Sequence, residues 1–231
     1  MSKVRVLSYN VRGLRDDVRA LTEVVRRCHP DVLLVQEAPI LLRWRSRCAA
    51  LARECGLVYV AGGRTAGGNL LLVNQRVSVH GVGEHRIRQP LRDPVRGVVS
   101  ATLGVGRTRF GVVGMHLSLS TAGREREIRE VLAVVRSFAG LPVVVAGDLN
   151  EEPGGPSWRA LAEAGLRDLG GDQGAESTFP AGDPRSRIDA VFATDGRMRG
   201  TEYGVPGDPA LRVDLVRATD HLPVLAGLDL G

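Results

Sequence analysis

Lysine and aromatic residues are scarce in this sequence. Lys3 is the lone lysine among 31 basic residues, and Phe, Trp and Tyr together make up 4% of the 231 residues. No cluster of aromatics suited to anchoring at a lipid surface is present. An uninterrupted run of roughly 18 apolar residues is also missing, which excludes a transmembrane helix. With 43% hydrophobic and 25% charged residues, the composition is typical of a globular protein and unlike that of a disordered or fibrous one.

Cysteine is rare as well. Cys28, Cys48 and Cys55 lack the paired short spacings of a zinc site or a secreted disulfide framework, so we expect buried thiols in a reducing compartment. Residues 1–10 run from a short basic segment into a strand-like stretch, without the apolar region of a signal peptide. We therefore expect a cytoplasmic protein with no stable membrane association.

The length and the charge narrow the class of protein further. A chain of this size is expected to form one domain over residues 1–231, and nothing in it demands a partner subunit, so we expect a monomer. The net charge of +5 fits an anionic partner such as nucleic acid, because positive charge attracts polyanions. The abundance of Arg, Ala, Gly, Val and Pro fits a GC-rich gene equally well, so charge alone does not decide.

Short β-branched runs alternate with amphipathic segments, which predicts strands interleaved with helices. The predicted strands are Val4–Tyr9, Val32–Val35, Leu57–Ala61, Leu70–Val73, Val77–Val82, Val98–Leu103, Phe110–Met115, Val143–Ala146, Ile188–Ala193 and Leu222–Leu228. The predicted helices are Asp17–Cys28, Arg43–Cys55, Arg124–Ser137 and Ser157–Glu163. No helix-length pattern separates the strands from Leu57 to Met115, which predicts one antiparallel run. Residues 170–187, rich in Gly, Asp, Pro and Ser, are expected to form a loop.

The fold class follows from this order of elements. Two halves, each mixing hairpins with crossover helices, predict an α/β fold: a four-layer α/β sandwich of two packed mixed sheets flanked by helices. For the second helix we predict five inward-facing positions, namely Leu41, Leu42, Trp44, Leu51 and Cys55.

Polar side chains recur where the predicted strands end. The five ends carry Asn10, Glu37, His116, Asp148 with Asn150, and Asp220 with His221. Each alone has an ordinary explanation, such as a turn, a cap or a solvated strand end. Together they are harder to explain in that way, because an open sheet gathers the side chains at its strand ends into one crevice.

Such a crevice suits a hard cation and a phosphate. Mg²⁺ takes oxygen ligands and needs only one or two protein carboxylates beside the substrate phosphate, and Mn²⁺ fits the same ligands. We expect Glu37 to bind the metal directly, with Asn10 and Asp220 completing or orienting its shell. Asp148 and Asn150 would bind a second metal or hold the attacking water.

Two histidines suit the proton transfers and the charge of phosphate hydrolysis. His221 is expected to act as a general base or as a donor to the phosphoryl oxygen, with Asp189 fixing its tautomer and raising its pKa. His116 would contact the phosphate from the other side.

Six short segments carry these residues, in this order: Ser8–Gly13, Val35–Glu37, Gly114–Leu117, Gly147–Asn150, Ser186–Phe192 and Thr219–Val224. Their order and spacing resemble the endonuclease/exonuclease/phosphatase superfamily from Asn10 to His221. The resemblance implies metal binding at Asn10, Glu37 and Asp220, nucleophile positioning at Asp148 and Asn150, and an Asp189–His221 pair.

His116 falls where deoxyribonuclease-like and sphingomyelinase-like members carry a phosphate-contacting histidine. The apurinic endonuclease branch prefers tyrosine there, which argues against abasic-site repair.

Three further positions have competing interpretations. Asn69 lies just before a predicted strand and would either reach the cleft or stabilise a turn. Arg96 lies where members of the superfamily often place a phosphate-contacting arginine, although an ordinary solvated arginine fits equally well. Trp44, among Arg43, Arg45 and Arg47, would stack on nucleic acid or pack into the core, and we favour packing.

Three functions therefore stay open. We favour a metal-dependent nuclease acting on DNA or RNA. The second hypothesis keeps the chemistry but replaces nucleic acid with a small-molecule or lipid phosphate ester. The third, a non-catalytic binding module, is disfavoured because every expected site position is filled.

Overall fold

The computed structural model describes residues 2–90, 93–171 and 175–230, and within them the chain forms two β-sheets and five α-helices. The helices are α1 (Val18–Cys28), α2 (Trp44–Cys55), α3 (Thr121–Ser137), α4 (Pro156–Glu163) and α5 (Arg212–Ala218). The strands are β1 (Ser2–Asn10), β2 (Val32–Gln36), β3 (Val58–Gly63), β4 (Asn69–Val73), β5 (Ser78–Ile87), β6 (Arg96–Val105), β7 (Thr108–His116), β8 (Val143–Asp148), β9 (Leu166–Asp168), β10 (Asp189–Thr194), β11 (Met198–Gly204) and β12 (Val224–Leu230).

Both sheets have six strands and a parallel pair at their centre. The first has the order β11-β12-β1-β2-β4-β3 and the second β5-β6-β7-β8-β10-β9. The pairs β1/β2 and β7/β8 are parallel, and the other neighbours are antiparallel. Each parallel pair needs a crossover connection, and α1 and α3 provide the two crossovers. The carboxyl ends of the central strands therefore lie together at one edge of each sheet.

Side-chain alternation along the strands produces three hydrophobic layers. Val4 and Val6 of β1 belong to the core between the two sheets, whereas Leu7 and Tyr9 pack under α1, α2 and α5. A third core lies between the second sheet and the helices α3 and α4. Since successive strand residues face opposite sides of a sheet, both faces of both sheets are covered. This arrangement confirms the predicted four-layer α/β sandwich.

The first crossover helix shows how local sequence determines its limits. The Asp17 side chain accepts hydrogen bonds from the main-chain N–H groups of Arg19 and Ala20, and thereby caps the start of α1. The helix ends at Cys28, and the following residue, His29, adopts the left-handed conformation directly before Pro30. The predicted limits of this helix are therefore confirmed to within one residue.

Several predictions from the sequence were wrong. The strands from Leu57 to Met115 do not form one antiparallel run, because β4 belongs to the first sheet and β5 to the second. Leu41 and Leu42 are 74% and 87% exposed; they precede α2, which begins at Trp44, so the helical period does not apply to them. Trp44, Leu51 and Cys55 are buried as predicted.

Three short elements were missed, namely β9, β11 and α5. Strand β11 is largely exposed or half-buried, and it contains Arg, Thr and Glu. Its sequence therefore lacks the apolar run that marks a strand. Residues 170–187 were predicted as a loop; within the described part, Phe179 and Ser186 form an isolated bridge, and residues 172–174 lie outside the description. Among residues 2–90, 93–171 and 175–230, no helix has the length and hydropathy needed to span a membrane.

The three cysteines are confirmed as buried free thiols. Burial raises the pKa of the Cys55 thiol to about 12 and that of Cys48 to about 11. Such thiols stay protonated at neutral pH and are therefore unreactive.

Gly147 allows the two central strands of the second sheet to approach each other. A Cβ atom at this position would lie 1.9 Å from the carbonyl oxygen of Met115 in the neighbouring strand. We expect Gly147→Ala to lower the free energy of unfolding by about 2–4 kcal/mol, because the backbone of β7 must move. Urea denaturation measures this change. Gly81→Ala is the matched control, since a Cβ there meets no atom within 4 Å; equal losses in the two variants would contradict the steric explanation.

Candidate active site

Four of the expected site residues occupy the last inward-facing position at one edge of a sheet. Val144 and Ala146 of β8 line the core between the sheets, and the two-residue period places Asp148 next in that series. Asn10, His116 and Asp189 hold the corresponding positions in β1, β7 and β10. All four are buried. The space between the sheets therefore changes at this edge from a hydrocarbon core to a polar site.

Strand register brings these residues side by side. Asp148 is paired with His116 across the parallel β7/β8 ladder and with Asp189 across the antiparallel β8/β10 ladder. In the first sheet, Asn10 is paired with Gln36, and Glu37 follows directly. Asp220 and His221 were expected at a strand end. They instead precede β12, and they reach the same edge because β12 runs antiparallel to β1.

The amide of Asn10 connects the two sheets. Its Nδ2 lies 3.0 Å from Oδ2 of Asp148, 3.3 Å from Oε1 of Glu37 and 3.5 Å from Nε2 of His221. Its Oδ1 accepts a hydrogen bond from the main-chain N–H of Arg12 at 3.1 Å. In this orientation Asn10 acts as a donor that holds carboxylates in place.

His221 and Asp189 form a buried hydrogen-bonded pair. Nδ1 of His221 lies 2.9 Å from Oδ2 of Asp189, and the Phe179 ring packs 4.8 Å from the imidazole, measured between ring centroids. Burial opposes the charge on the imidazole, but the hydrogen bond and charge of Asp189, together with the charge of Asp148, raise the pKa of His221 to about 9. The histidine is therefore cationic at neutral pH, with Nε2 directed toward Asp148 at 3.8 Å.

The second histidine has the opposite electrostatic environment. Burial, reinforced by the positive charges of Arg96 and His221, keeps the pKa of His116 well below its usual value. Nε2 of His116 lies 3.1 Å from Nδ2 of Asn150 and 3.5 Å from Oδ2 of Asp148. A neutral His116 can accept the hydrogen bond that Asn150 donates.

Asp148 lies at the centre of the cluster. Burial and the nearby charge of Asp189 raise the pKa of Asp148 to about 7, although His221, the main-chain N–H of Asn150 and the amide of Asn10 favour its ionised form. Its Oδ1 accepts from the N–H of Asn150 at 2.8 Å. Asp148 therefore binds a proton more readily than an ordinary carboxyl group.

Two site residues have a left-handed backbone conformation. Glu37 has φ = 53° and Asn150 has φ = 47°. Asn adopts this left-handed region readily, but for Glu it costs roughly 1–2 kcal/mol. The conformation is held by hydrogen bonds on both sides, from Gly13 N–H to the Glu37 carbonyl and from Ala38 N–H to the Gly68 carbonyl, each 2.8 Å long.

The donor set fits a hard divalent cation. The side chain of Glu37 is exposed, and within the described residues it has no basic partner; its one bond, to Asn10, is long. One oxygen of Asp189, Oδ1, is buried without a hydrogen-bond partner in the structure. Asp148, Asp189 and His221 offer ligand atoms within 4.8 Å of one another, yet Asp189 and His221 already bond to each other. Oxygen atoms thus dominate, as Mg²⁺ and Mn²⁺ require.

Asp220 lies at the margin of the site. Its Oδ2 pairs with Nε of Arg12 at 3.2 Å, and its side chain is about one third exposed (33%). Arg12 also binds the Asn10 amide through its main chain. Asp220 is therefore linked to the Asn10 amide through Arg12.

The three positions with competing interpretations separate clearly. Asn69 is 0% exposed, and its Nδ2 donates to the carbonyls of Ala66 and Gly97. It stabilises the turn that precedes β4, and a side chain this deeply buried is not accessible to a phosphate in the cleft. Arg96 is half-buried and lines the cleft, and desolvation lowers its pKa despite the charges of Glu127, Asp148 and Glu37. Trp44 is buried, which supports the packing interpretation.

A cleft of about 520 Å³ adjoins the polar cluster at Glu37 and His116. Its other lining residues are Gly13, Arg15, Ala38, Pro39, Ile40, Leu41, Arg47, Gly67, Gly68, Pro94, Val95 and Arg96. A substrate in this cleft would lie directly against the candidate metal ligand Glu37.

Sequence reasoning missed two residues that support the site. Glu127 of α3 is 0% exposed, and it accepts hydrogen bonds from the N–H and the hydroxyl of Ser118, two residues after His116, at 2.7 and 2.6 Å. Thr178 accepts from the N–H of Asp189 at 3.3 Å through Oγ1 and from that of Leu222 at 2.7 Å through its carbonyl. Glu127 lies in a run of alternating charges, and nothing in that pattern distinguishes it from its exposed neighbours.

This fold and site define a class of phosphoesterase. The sequence model of the Endonuclease/Exonuclease/phosphatase family matches residues 7–221, and the chain belongs to that family, whose members are phosphoester hydrolases. The family resemblance expected from the six motifs is thereby confirmed.

Solved structures share the whole fold at low sequence identity. A mannosyl-6-phosphatase of Bacteroides thetaiotaomicron is 18% identical with a TM-score of 0.81, over 98% of this chain and 100% of that one. TDP2 of D. rerio, solved with a single-strand DNA product, is 17% identical with a TM-score of 0.73, over 99% and 100%. A family protein from Beutenbergia cavernae is 25% identical with a TM-score of 0.70, over 100% of this chain and 72% of that one. No protein of curated function matches the sequence significantly.

The Asp189–His221 pair predicts a pH dependence of stability in the metal-free protein. The pKa of His221 is about 9 in the folded state against an ordinary 6.5, so its contribution is complete below about pH 6.5 and is lost as pH rises through 9. We expect the free energy of unfolding in chelator to fall by about 1–3 kcal/mol between pH 6.5 and 8.5, below the pH at which the buried thiols ionise on unfolding. In Asp189→Asn this fall should be clearly smaller. Urea denaturation at both pH values measures it, and identical falls in the two proteins would contradict the assignment.

Glu127 is expected to hold the segment that follows His116. Glu127→Ala leaves the buried N–H of Ser118 unpaired, and we expect it to lower the free energy of unfolding by about 2–4 kcal/mol. Glu127→Gln keeps one acceptor and should lose less. The exposed Glu125 of the same helix supplies the control Glu125→Ala, for which thermal or urea denaturation should detect almost no change. A similar loss in the control would show that helix propensity, and not the buried hydrogen bonds, is responsible.

Proposed function

We propose that this protein is a divalent-metal-dependent phosphodiesterase, and specifically a nuclease that acts on DNA or RNA. The observation that carries the proposal is the position of the Asn10 amide, within 3.5 Å of Glu37, Asp148 and His221. Three groups therefore surround the Asn10 amide. They are the exposed carboxylate of Glu37, which is free to bind a cation, the buried carboxylate of Asp148, and the cationic imidazole of His221. This is the set of groups that phosphoryl hydrolysis requires.

Glu37 is the residue that would hold the metal directly, with Asp220 and Asn10 completing or orienting the shell. Mg²⁺ is the cation we propose, and Mn²⁺ should replace it, since both accept oxygen ligands. When bound, the cation would neutralise charge on the phosphoryl oxygens. Asn10 fixes the Glu37 carboxylate at one oxygen and leaves the other available.

Asp148 and Asn150 would position the attacking water. The pKa of Asp148, raised to about 7 by burial and by Asp189, is suited to accepting a proton near neutral pH. Asn150 donates to the carbonyl of Leu117 and contacts His116. That contact holds the neutral imidazole of His116 beside Asp148, where it can face the phosphate.

His221 would donate a hydrogen bond to a phosphoryl oxygen. Its raised pKa, with Asp189 on Nδ1, makes it a cation at neutral pH and a poor proton acceptor. Of the two roles expected from the sequence, the donor role therefore fits this geometry better than the general-base role.

Nucleic acid is the substrate class that charge supports. The chain carries a net charge of +5, and Arg15, Arg47 and Arg96 line the cleft beside Glu37. The structural relatives include both TDP2 with a DNA product and a sugar phosphatase. One observation favours the alternative, a lipid or small-molecule phosphate ester: the exposed Leu41 lines the cleft, and its neighbour Leu42 is exposed as well. A non-catalytic binding module is disfavoured, because no expected site position is substituted. A single domain, a monomeric state and a cytoplasmic location remain part of the proposal.

Glu37→Gln tests the mechanism. The substitution keeps the size of the side chain but removes its charge, so we expect metal-dependent hydrolysis to fall at least about 100-fold while the thermal unfolding curve stays near that of the wild type. The assay is a panel of single- and double-stranded DNA, RNA, bis(p-nitrophenyl) phosphate and inositol phospholipids, each with Mg²⁺ or chelator.

Glu125→Gln is the matched control, because it removes the same charge from an exposed helix position. Unchanged turnover in Glu37→Gln would reject the proposed metal ligand. Hydrolysis confined to small or lipid esters would retain the chemistry and reject the nuclease assignment.

A further inference from the structure

The cleft next to Glu37 contains positive charge that the proposed chemistry does not use. Arg15 and Arg47 are both exposed and line this cleft together with Arg96. Within residues 2–90, 93–171 and 175–230, neither Arg15 nor Arg47 forms an ion pair. By contrast, Arg12 pairs with both Asp16 and Asp220.

Arg15 and Arg47 both lie next to Gly13, and Gly13 is hydrogen-bonded to Glu37, the proposed metal ligand. Nη2 of Arg47 donates to the carbonyl of Gly13 at 3.0 Å, and the N–H of Gly13 donates to the carbonyl of Glu37 at 2.8 Å. Nε of Arg15 lies 3.6 Å from the point where a Cβ of Gly13 would be. The two guanidinium groups therefore flank Gly13, one hydrogen bond away from Glu37.

The chemistry of this cleft suits a phosphate that is not the reacting one. Guanidinium groups bind phosphate oxygens through their planar fork of N–H donors, and unpaired charge in a concave surface attracts anions strongly. The described lining residues include no Phe, Tyr or Trp, and the imidazole of His116 is buried, so the cleft lacks the exposed aromatic rings on which bases commonly stack. The groups present recognise backbone charge and not base identity.

We propose that Arg15 and Arg47 bind a second phosphate of the substrate, the one next to the scissile phosphodiester. The inference rests on the proposed function and narrows it: the substrate is a chain with at least two phosphates, as in a nucleic-acid strand, and it is bound without preference for sequence. A single phosphate ester would occupy the Glu37 site alone and leave the two arginines unused.

Direct binding tests this inference without depending on turnover. The probes are thymidine 5′-phosphate and thymidine 3′,5′-bisphosphate, which differ by one phosphate at the spacing of a nucleic-acid chain. Their dissociation constants are measured by titration calorimetry with the full chain at a fixed excess of Mg²⁺. We expect the bisphosphate to bind about 10- to 100-fold more tightly than the monophosphate, and this advantage should shrink as salt is raised.

The double variant Arg15→Gln/Arg47→Gln should reduce that advantage to about threefold or less. The matched control Arg26→Gln/Arg53→Gln removes two exposed arginines outside the cleft, and it should retain the full advantage. Equal affinities of the two probes for the wild type, or an advantage that survives in the Arg15/Arg47 variant, would overturn the proposal.

A lipid surface is the competing ligand that the exposed Leu41 and Leu42 would suit. In flotation assays with vesicles of phosphatidylglycerol and phosphatidylcholine, we expect no binding by the wild type. Vesicle binding that is lost in both Arg15→Gln/Arg47→Gln and Leu41→Ser/Leu42→Ser would assign the arginines to a lipid surface and overturn the proposal. Failure of the phosphoesterase proposal would show separately, as an absence of Mg²⁺-dependent hydrolysis across the substrate panel.

Discussion

The rest of the site depends on the burial of the Asp148 carboxylate between the edges of the two sheets. A buried carboxylate is costly unless hydrogen bonds and opposite charge compensate it. Asn10 donates to it from the other sheet, Asn150 donates from the following turn, and His221 supplies a positive charge at 3.8 Å. Because these partners come from both sheets, the sandwich must be assembled before Asp148 is stabilised. Folding and construction of the site are therefore one event.

The two sheets contribute in a similar way. In each, a parallel pair of strands joined by a crossover helix lies at the centre, so the carboxyl ends of four strands meet at one edge. The first sheet provides Asn10 and, after β2, Glu37; the second provides His116 and Asp148. The antiparallel strands β10 and β12 complete the site with residues at or before their amino ends. The exposed carboxylate of Glu37 and the buried pair of His116 and Asp148 thus lie on opposite sides of the seam between the sheets.

The two histidines show how position determines chemistry. His116 and His221 are both buried, and burial alone favours the neutral form of each. His221 has Asp189 on Nδ1 and is kept cationic, whereas His116 has an amide partner and the positive charges of Arg96 and His221 nearby. One neutral and one cationic imidazole suit a reaction that needs both a donor and a neutral contact for the phosphate. Glu127 and Thr178 hold the backbone on which these two histidines depend.

The sequence by itself determined the layered fold and most of the site, because strand alternation and the polar residues at strand ends are local signals. It predicted Asn10, Glu37, His116 and Asp148 at strand ends and Asp189 as the partner of His221, and the structure brings these residues to one edge. Only the tertiary structure decided which strands share a sheet, and that the side chains of Asn69 and Glu127 are buried. It also decided that Arg15 and Arg47 meet at Gly13. These features depend on contacts between residues far apart in the chain or on the path of loops, and neither leaves a periodic signal in the sequence.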